Sequence, residues 1–189
     1  MRRRRGRMIA ESASTMEAMV RAEFVMDSWK TVRKDTVQAV LDFPSDQFDF
    51  RPAPELMTFG EIARHILEAG HILTGNLLDG VEDLSGGRFR ESFPHYLAQL
   101  PPHEDPASLA SALESSLAPR LEGIAAKGGD FLSAIVTRFD GQRVTRLELL
   151  QFTKEHELVH RSQLFMYLRL KGIVPATTRR RMQAQASRA

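Results

Sequence analysis

Four stretches of the chain place apolar residues every three to four positions, the spacing that lines up one face of a helix. In the first, Val25, Trp29, Val32, Thr36, Val40 and Phe43 recur until Pro44, where a helix must stop. The second carries Phe59, Ile62, Ile66, Ala69, Leu73 and Leu77 and ends at Asp79-Gly80. Leu109, Leu113, Leu117, Leu121 and Ile124 form the third line, with Asp105-Pro106 as N-cap and first residue, Gly128-Gly129 as the stop and a kink expected at Pro119. The fourth runs to Gly172, with Pro175 soon after. Three of the four open on a Ser or Thr followed three residues later by Glu, the pairing in which each side chain bonds the other's free backbone N–H. These are Ser14 with Glu17, Thr58 with Glu61, and Thr145 with Glu148.

The connections complete the architecture. Pro44, Pro52 and Pro54 force an extended loop after the first helix, and Asp140-Gly141 suits the tight turn of a short hairpin within "FLSAIVTRFDGQRVT". Residues 79–104, with Gly86-Gly87, Pro94, Pro101 and Pro102, are far longer than an ordinary helix hairpin needs and can cross the length of a bundle. The expectation is an all-α four-helix bundle with a long crossover between the second and third helices. It occupies 14–175, between disordered basic tails at 1–13 and 176–189.

Charge supports that division. The sequence pI is near 9.2, but nine arginines lie in 2–7 and 179–188, leaving 17 of the 26 basic residues against 24 acidic ones, a net of −7 for 8–178. An acidic body with basic ends argues against a nucleic-acid partner. No apolar run approaches the ~18 residues of a membrane span, and MRRRRGRM lacks the apolar core of a signal peptide, so a soluble, cytoplasmic protein is expected. There is no cysteine, which excludes thiolate sites and leaves His, Asp and Glu as metal donors.

Chemistry concentrates in "EHELVHRSQ", residues 155–163. With His156 at the zero of a helical wheel, Leu149, Phe152, His160, Gln163, Tyr167 and Leu170 all fall within about 40° of it. The stripe expected to face the core thus carries two imidazoles one turn apart and an amide, and buried polar groups need partners. Two histidines at i and i+4 can share one metal ion. On the second helix, His65 stands about 60° from Ile62, at the margin of the apolar stripe and able to look inward, whereas His71, at about 180°, is expected to face away. His95 and His103 read as solvated loop residues.

The string H-E-x-x-H also matches the zinc peptidase signature, in which Glu157 would be the general base. That match is short, no His, Asp or Glu follows His160 to supply a third ligand, and Glu157 falls about 100° from His156.

"TFGEIARHILEAGHIL", followed about ninety residues later by "HELVHRSQLFMYLRLKGIVPA", resembles the DinB family of metal-binding four-helix bundles. "FDFRPAPELMTFGEIARH" is similar to the stretch that the family places between its first two helices, and the likeness covers most of residues 16–175. The resemblance implies a divalent ion, zinc or nickel, on His65, His156 and His160. Ser162 departs from the glycine common in the family's H-R-G-Q string, at about −120° from His156 and so away from the ligands. It further implies a metal-dependent enzyme, such as a low-molecular-weight-thiol S-transferase acting on a small-molecule electrophile. Gln163 would orient a ligand, residues 79–104 would cover the site with Phe93, His95 and Tyr96, and Arg88, Arg90 or Arg161 would hold the thiol's carboxylates. The alternative is a non-catalytic metal-binding bundle. Leu147, Leu158 and Phe165, near 180° on the last helix, suggest a second buried face and a homodimer.

Overall fold

The computed structural model describes residues 21–188. Four long helices carry the fold: α1 (Ala22–Asp42), α2 (Phe59–Leu78), α5 (Pro106–Ala126) and α7 (Arg146–Leu170). α1 packs against α5 and α7, and so does α2, which sets α1 and α2 across one diagonal of a four-helix bundle. The Ser14 capping box lies outside the described residues.

The caps fall where the sequence places them. The Thr58 hydroxyl accepts from the Glu61 amide at 3.1 Å while the Thr58 amide donates to the Glu61 carboxylate at 2.6 Å. Thr145 and Glu148 repeat the exchange at the head of α7, and Gly172 ends that helix at φ 75°, a conformation that costs glycine little. Each box satisfies two of the N–H groups that a helix start leaves free.

The core has two halves along the bundle. At one end Phe43, Phe48 and Phe59 gather, with Phe43 and Phe59 stacked at 3.7 Å between ring centroids, above Leu109, Leu113, Leu164 and Leu168. At the other, Trp29 meets Leu77, Leu121, Ile124 and Leu149.

Three connections differ from expectation. Residues 79–104 are not bare loop: they form α3 (Gly87–Glu91) and α4 (Phe93–Leu97), and α4 lies on α2. α5 runs through Pro119 and stops at Ala126, ahead of Gly128 at φ 82°, as expected, but a further short helix, α6 (Gly128–Ser133), follows at once where none was expected. The tail expected to be disordered from residue 176 forms α8 (Ala176–Ala186), because α1 offers its arginines partners. Arg179 reaches Asp42 at 2.8 Å and Arg180 reaches Asp35 at 2.5 Å.

The expected hairpin is present. Strands β1 (Ile135–Thr137) and β2 (Arg143–Thr145) pair antiparallel, Ile135 opposite Thr145, with Gly141 in the turn at φ 82°. Leu84 and Thr137 tie the crossover to this hairpin through the bond from the Leu84 amide to the Thr137 carbonyl, 2.8 Å. Phe139 is thereby held next to α3 and α7.

Candidate metal centre

His65 comes from the second turn of α2, and His156 and His160 from the middle of α7, the neighbour on which α2 packs. Their nitrogen donors all lie within 4.8 Å of one another, the one such group of three or more His, Asp and Glu among the described residues. The Nε2 atoms of His65 and His156 approach to 3.1 Å. Two nitrogens bound at ~2.0–2.1 Å to one tetrahedral ion sit roughly 3.3–3.4 Å apart, so this spacing suits a shared ion.

The protonation states agree with that geometry. Burial first, and then the neighbouring His160, hold the His65 imidazole below its ordinary pKa. Burial, His160 and His65 together push His156 down to about 4. Both rings are therefore neutral at pH 7, the form that ligates. The Nδ1 atom of His160 lies 2.8 Å from the Gln163 amide oxygen. An oxygen there accepts, so Nδ1 carries the proton and Nε2 keeps its lone pair.

The rotation of α7 differs from the expected one, and this changes the role of several residues. Its most buried line runs through Leu150, Glu157, Leu164 and Leu168, about 100° round the wheel from His156. His156 and His160 therefore sit half-buried at the edge of the core stripe. Leu147 and Phe165 touch the chain's own core, and only Leu158 of that trio is exposed, so they do not form a second apolar face.

Glu157, 2% exposed, is the centre of the buried side. Its carboxylate accepts from the Trp29 indole at 2.6 Å, the Thr36 hydroxyl at 2.8 Å, and Arg33 through Nε at 2.9 Å and Nη2 at 2.8 Å. Arg33, 5% exposed, also donates to the Leu113 carbonyl at 3.0 Å and so joins α1, α5 and α7. A general base needs a free lone pair facing a water at the metal; this carboxylate is saturated and faces α1. The zinc peptidase reading fails on that observation. The missed signal was Arg33, a charge on the stripe shared by Trp29 and Thr36, needing an acid partner.

His71 also departs from expectation. It is 9% exposed, because α4 and α5 cover the back of α2, and Arg120 donates to its Nε2 at 2.6 Å. It stands apart from the three clustered rings. His95 is exposed, as expected, while His103 is half-buried and pairs with Glu68 at 3.5 Å. Ser162 is exposed and bonds the Leu158 carbonyl, away from the cluster.

A cavity of about 310 Å³ adjoins His65 and His156. Phe93 lines it, but Tyr96 does not: that ring packs on Gly75, and its hydroxyl donates to Asp79 at 2.7 Å. None of Arg88, Arg90 and Arg161 lines it either. The first two point to solvent, and Arg161 pairs with Asp35 at 3.4 Å. Three more phenylalanines line it: Phe89 and Phe139, which the sequence did not single out, and Phe152, which was expected to face the core. Phe152 shares the His156 stripe, and the phenylalanine beside the Asp140-Gly141 turn had no core to fill.

The DinB family model matches residues 16–188. The chain belongs to the DinB family. It is 24% identical over 154 residues to YjoA of Bacillus subtilis (strain 168), covering 82% of this chain and 93% of that one. The crystal structure of that DinB-like protein superposes with a TM-score of 0.60 at 22% identity, over 78% of this chain and 91% of the other. A DinB-like protein from Bacillus cereus ATCC 10987 gives 0.61 at 18%, over 81% and 94%. The mycothiol-dependent maleylpyruvate isomerase gives 0.59 at 16%, over 77% of this chain and 61% of the isomerase. These likenesses establish the bundle. Among the described residues no helix is long and apolar enough to cross a membrane.

Proposed function

We propose that this DinB-family chain binds one divalent ion, zinc or nickel, on His65, His156 and His160 and is a metal-dependent enzyme, a low-molecular-weight-thiol S-transferase acting on small electrophiles. The observation that carries the reading is the convergence of three half-buried imidazoles beside a cavity. Three neutral ligands leave such an ion its full charge and an open position, the pattern of catalytic rather than closed structural sites. The ion would supply a thiol held as thiolate at neutral pH. This chain's residues do the rest: Gln163 fixes the tautomer of His160, desolvation keeps His65 and His156 unprotonated, and the crossover helices exclude water from one side of the site. The fold likeness to a mycothiol-dependent isomerase supports the choice of thiol chemistry. A cytoplasmic location, where such thiols are abundant, belongs to the same proposal.

Elemental analysis of natively purified protein should find about one transition metal per chain, falling close to zero in His160→Ala. Metal-loaded protein should then accelerate conjugation of bacillithiol, mycothiol or glutathione to a generic electrophile. A rate no higher than that of His160→Ala with all three thiols would sink the enzymatic reading. The competing view, a non-catalytic bundle stabilised by its ion, gains if chelation lowers the melting temperature and no turnover is ever found.

The proposal includes a homodimer, placed on a different surface from the one first expected. Val159, Met166 and Leu170 are 60%, 56% and 55% exposed along one outer side of α7, and apolar side chains left exposed on one side of a helix favour a partner.

A further inference from the structure

The cavity beside the histidines is walled by four phenyl rings from four separate pieces of the chain: Phe89 of α3, Phe93 of α4, Phe139 of the hairpin turn and Phe152 of α7. The rings form a continuous series. Phe93 meets Phe89 edge-on at 5.0 Å, Phe89 lies nearly parallel to Phe139 at 6.3 Å, Phe139 meets Phe152 edge-on at 5.4 Å, and Phe152 leads to the His156 ring at 6.5 Å. Four aromatic rings drawn to one place by the two crossover helices, the hairpin turn and α7 are more than packing of the bundle core requires, since none of the four is among its fully buried residues.

The charge inventory of the wall narrows the ligand. No Lys or Arg lines the cavity, and its one carboxylate, Glu68, is paired with His103. Arg138 lies behind the wall, 4.7 Å from the Phe152 ring centre, where Asp140 engages its guanidinium. A carboxylate or phosphate held among the rings would lose its hydration and meet no cationic side chain, which is costly. A flat apolar group would gain edge and face contacts with the rings. At about 310 Å³ the space is at the small end of the ~300–1,000 Å³ typical of ligand pockets and has room for one or two rings.

We infer that this cavity binds the aryl group of a neutral aromatic substrate, with its reactive carbon directed at His65 and His156. The inference rests on the S-transferase reading for the chemistry, but the binding half of it does not need the metal. In the transfer, the thiolate sulfur forms a bond to the benzylic carbon of a benzyl halide, the bond from that carbon to the halogen breaks, halide leaves with the electron pair, and the thiol's proton has already passed to solvent. The polar thiol itself has no place among the phenyl rings and approaches from the solvent side of the histidines.

Two measurements separate the parts. In metal-depleted protein, fluorine NMR titration should give saturable binding of 4-fluorotoluene, with 4-fluorobenzoate at least about ten-fold weaker, the penalty of an unpaired buried charge. Phe139→Ser, at an exposed turn position, and Phe93→Ser should each weaken 4-fluorotoluene several-fold while leaving the metal content of reloaded protein unchanged. Equal affinity for the two probes, or no effect of either variant on a folded protein, overturns the cavity assignment. In metal-loaded protein with a supplied thiol, benzyl chloride should be consumed at least ten-fold faster than 4-(chloromethyl)benzoate. Selective binding without any turnover would leave the aryl site standing and count against the transferase reading alone.

Discussion

Glu157 and His156 are adjacent in sequence and have opposite tasks. The carboxylate is locked to Trp29, Arg33 and Thr36, and its removal would leave the Arg33 guanidinium buried without its counter-charge. Glu157→Leu should therefore cost about 3–5 kcal/mol in urea denaturation, the usual penalty for breaking a buried pair. A metal-proteolytic role would instead predict a stable, inactive protein. His71 offers a second test. Burial, with the Arg120 and Arg33 charges, lowers its pKa to about 4 from an ordinary 6.5. Above pH 6.5 both folded and unfolded forms are neutral and stability is full. As pH falls toward 4 the unfolded chain takes a proton that the folded chain refuses, so stability is lost over that window. His65 and His156, also held low, add to the slope. The urea midpoint of the wild type should fall from pH 7 to 4.5, and that of His71→Gln, whose amide can still accept from Arg120, should fall less steeply. Equal slopes would show that His71 is not the source.

The crossover depends on one glycine. A Cβ on Gly75 would lie 2.4 Å from Cδ1 of Tyr96 and 3.0 Å from an Arg120 nitrogen, so α4 can lie on α2 only where that helix has no side chain. Gly75→Ala should force the ring and α4 outward, lowering stability by about 1–3 kcal/mol as overpacking does. Because Phe93 is carried on α4, the aryl cavity should lose affinity while metal content is unchanged. An unaltered melting temperature would mean that the connection repacks freely. The caps of α2 and α7 were legible from spacing alone, since a capping box is a contract between residues three apart. α3, α4 and α8 were not: short or polar helices carry little periodic signal and form on surfaces that other elements provide, as Asp35 and Asp42 do for Arg180 and Arg179.

For the whole molecule, the exposed side chains of Val159, Met166 and Leu170 predict association. Light scattering should give twice the chain mass, and Met166→Glu should return it to one. A monomer in the wild type at high micromolar concentration would remove the dimer from the proposal. The same rotation of α7 that exposes these side chains also turns Glu157 into the core and sets His156 and His160 at its edge, next to solvent and the cavity.

Periodicity, caps and the i, i+4 spacing are properties of neighbouring residues, and from them the sequence alone determined the four long helices, the hairpin turn and the pairing of His156 with His160. The resemblance in its motifs then pointed to His65. The phase of α7, the saturation of Glu157, the burial of His71 and the aromatic cavity were decided only in the tertiary structure. A helical wheel records angles between side chains and not which direction the neighbours cover. That direction was set here by Trp29, Arg33 and Thr36, more than 120 residues away in the chain.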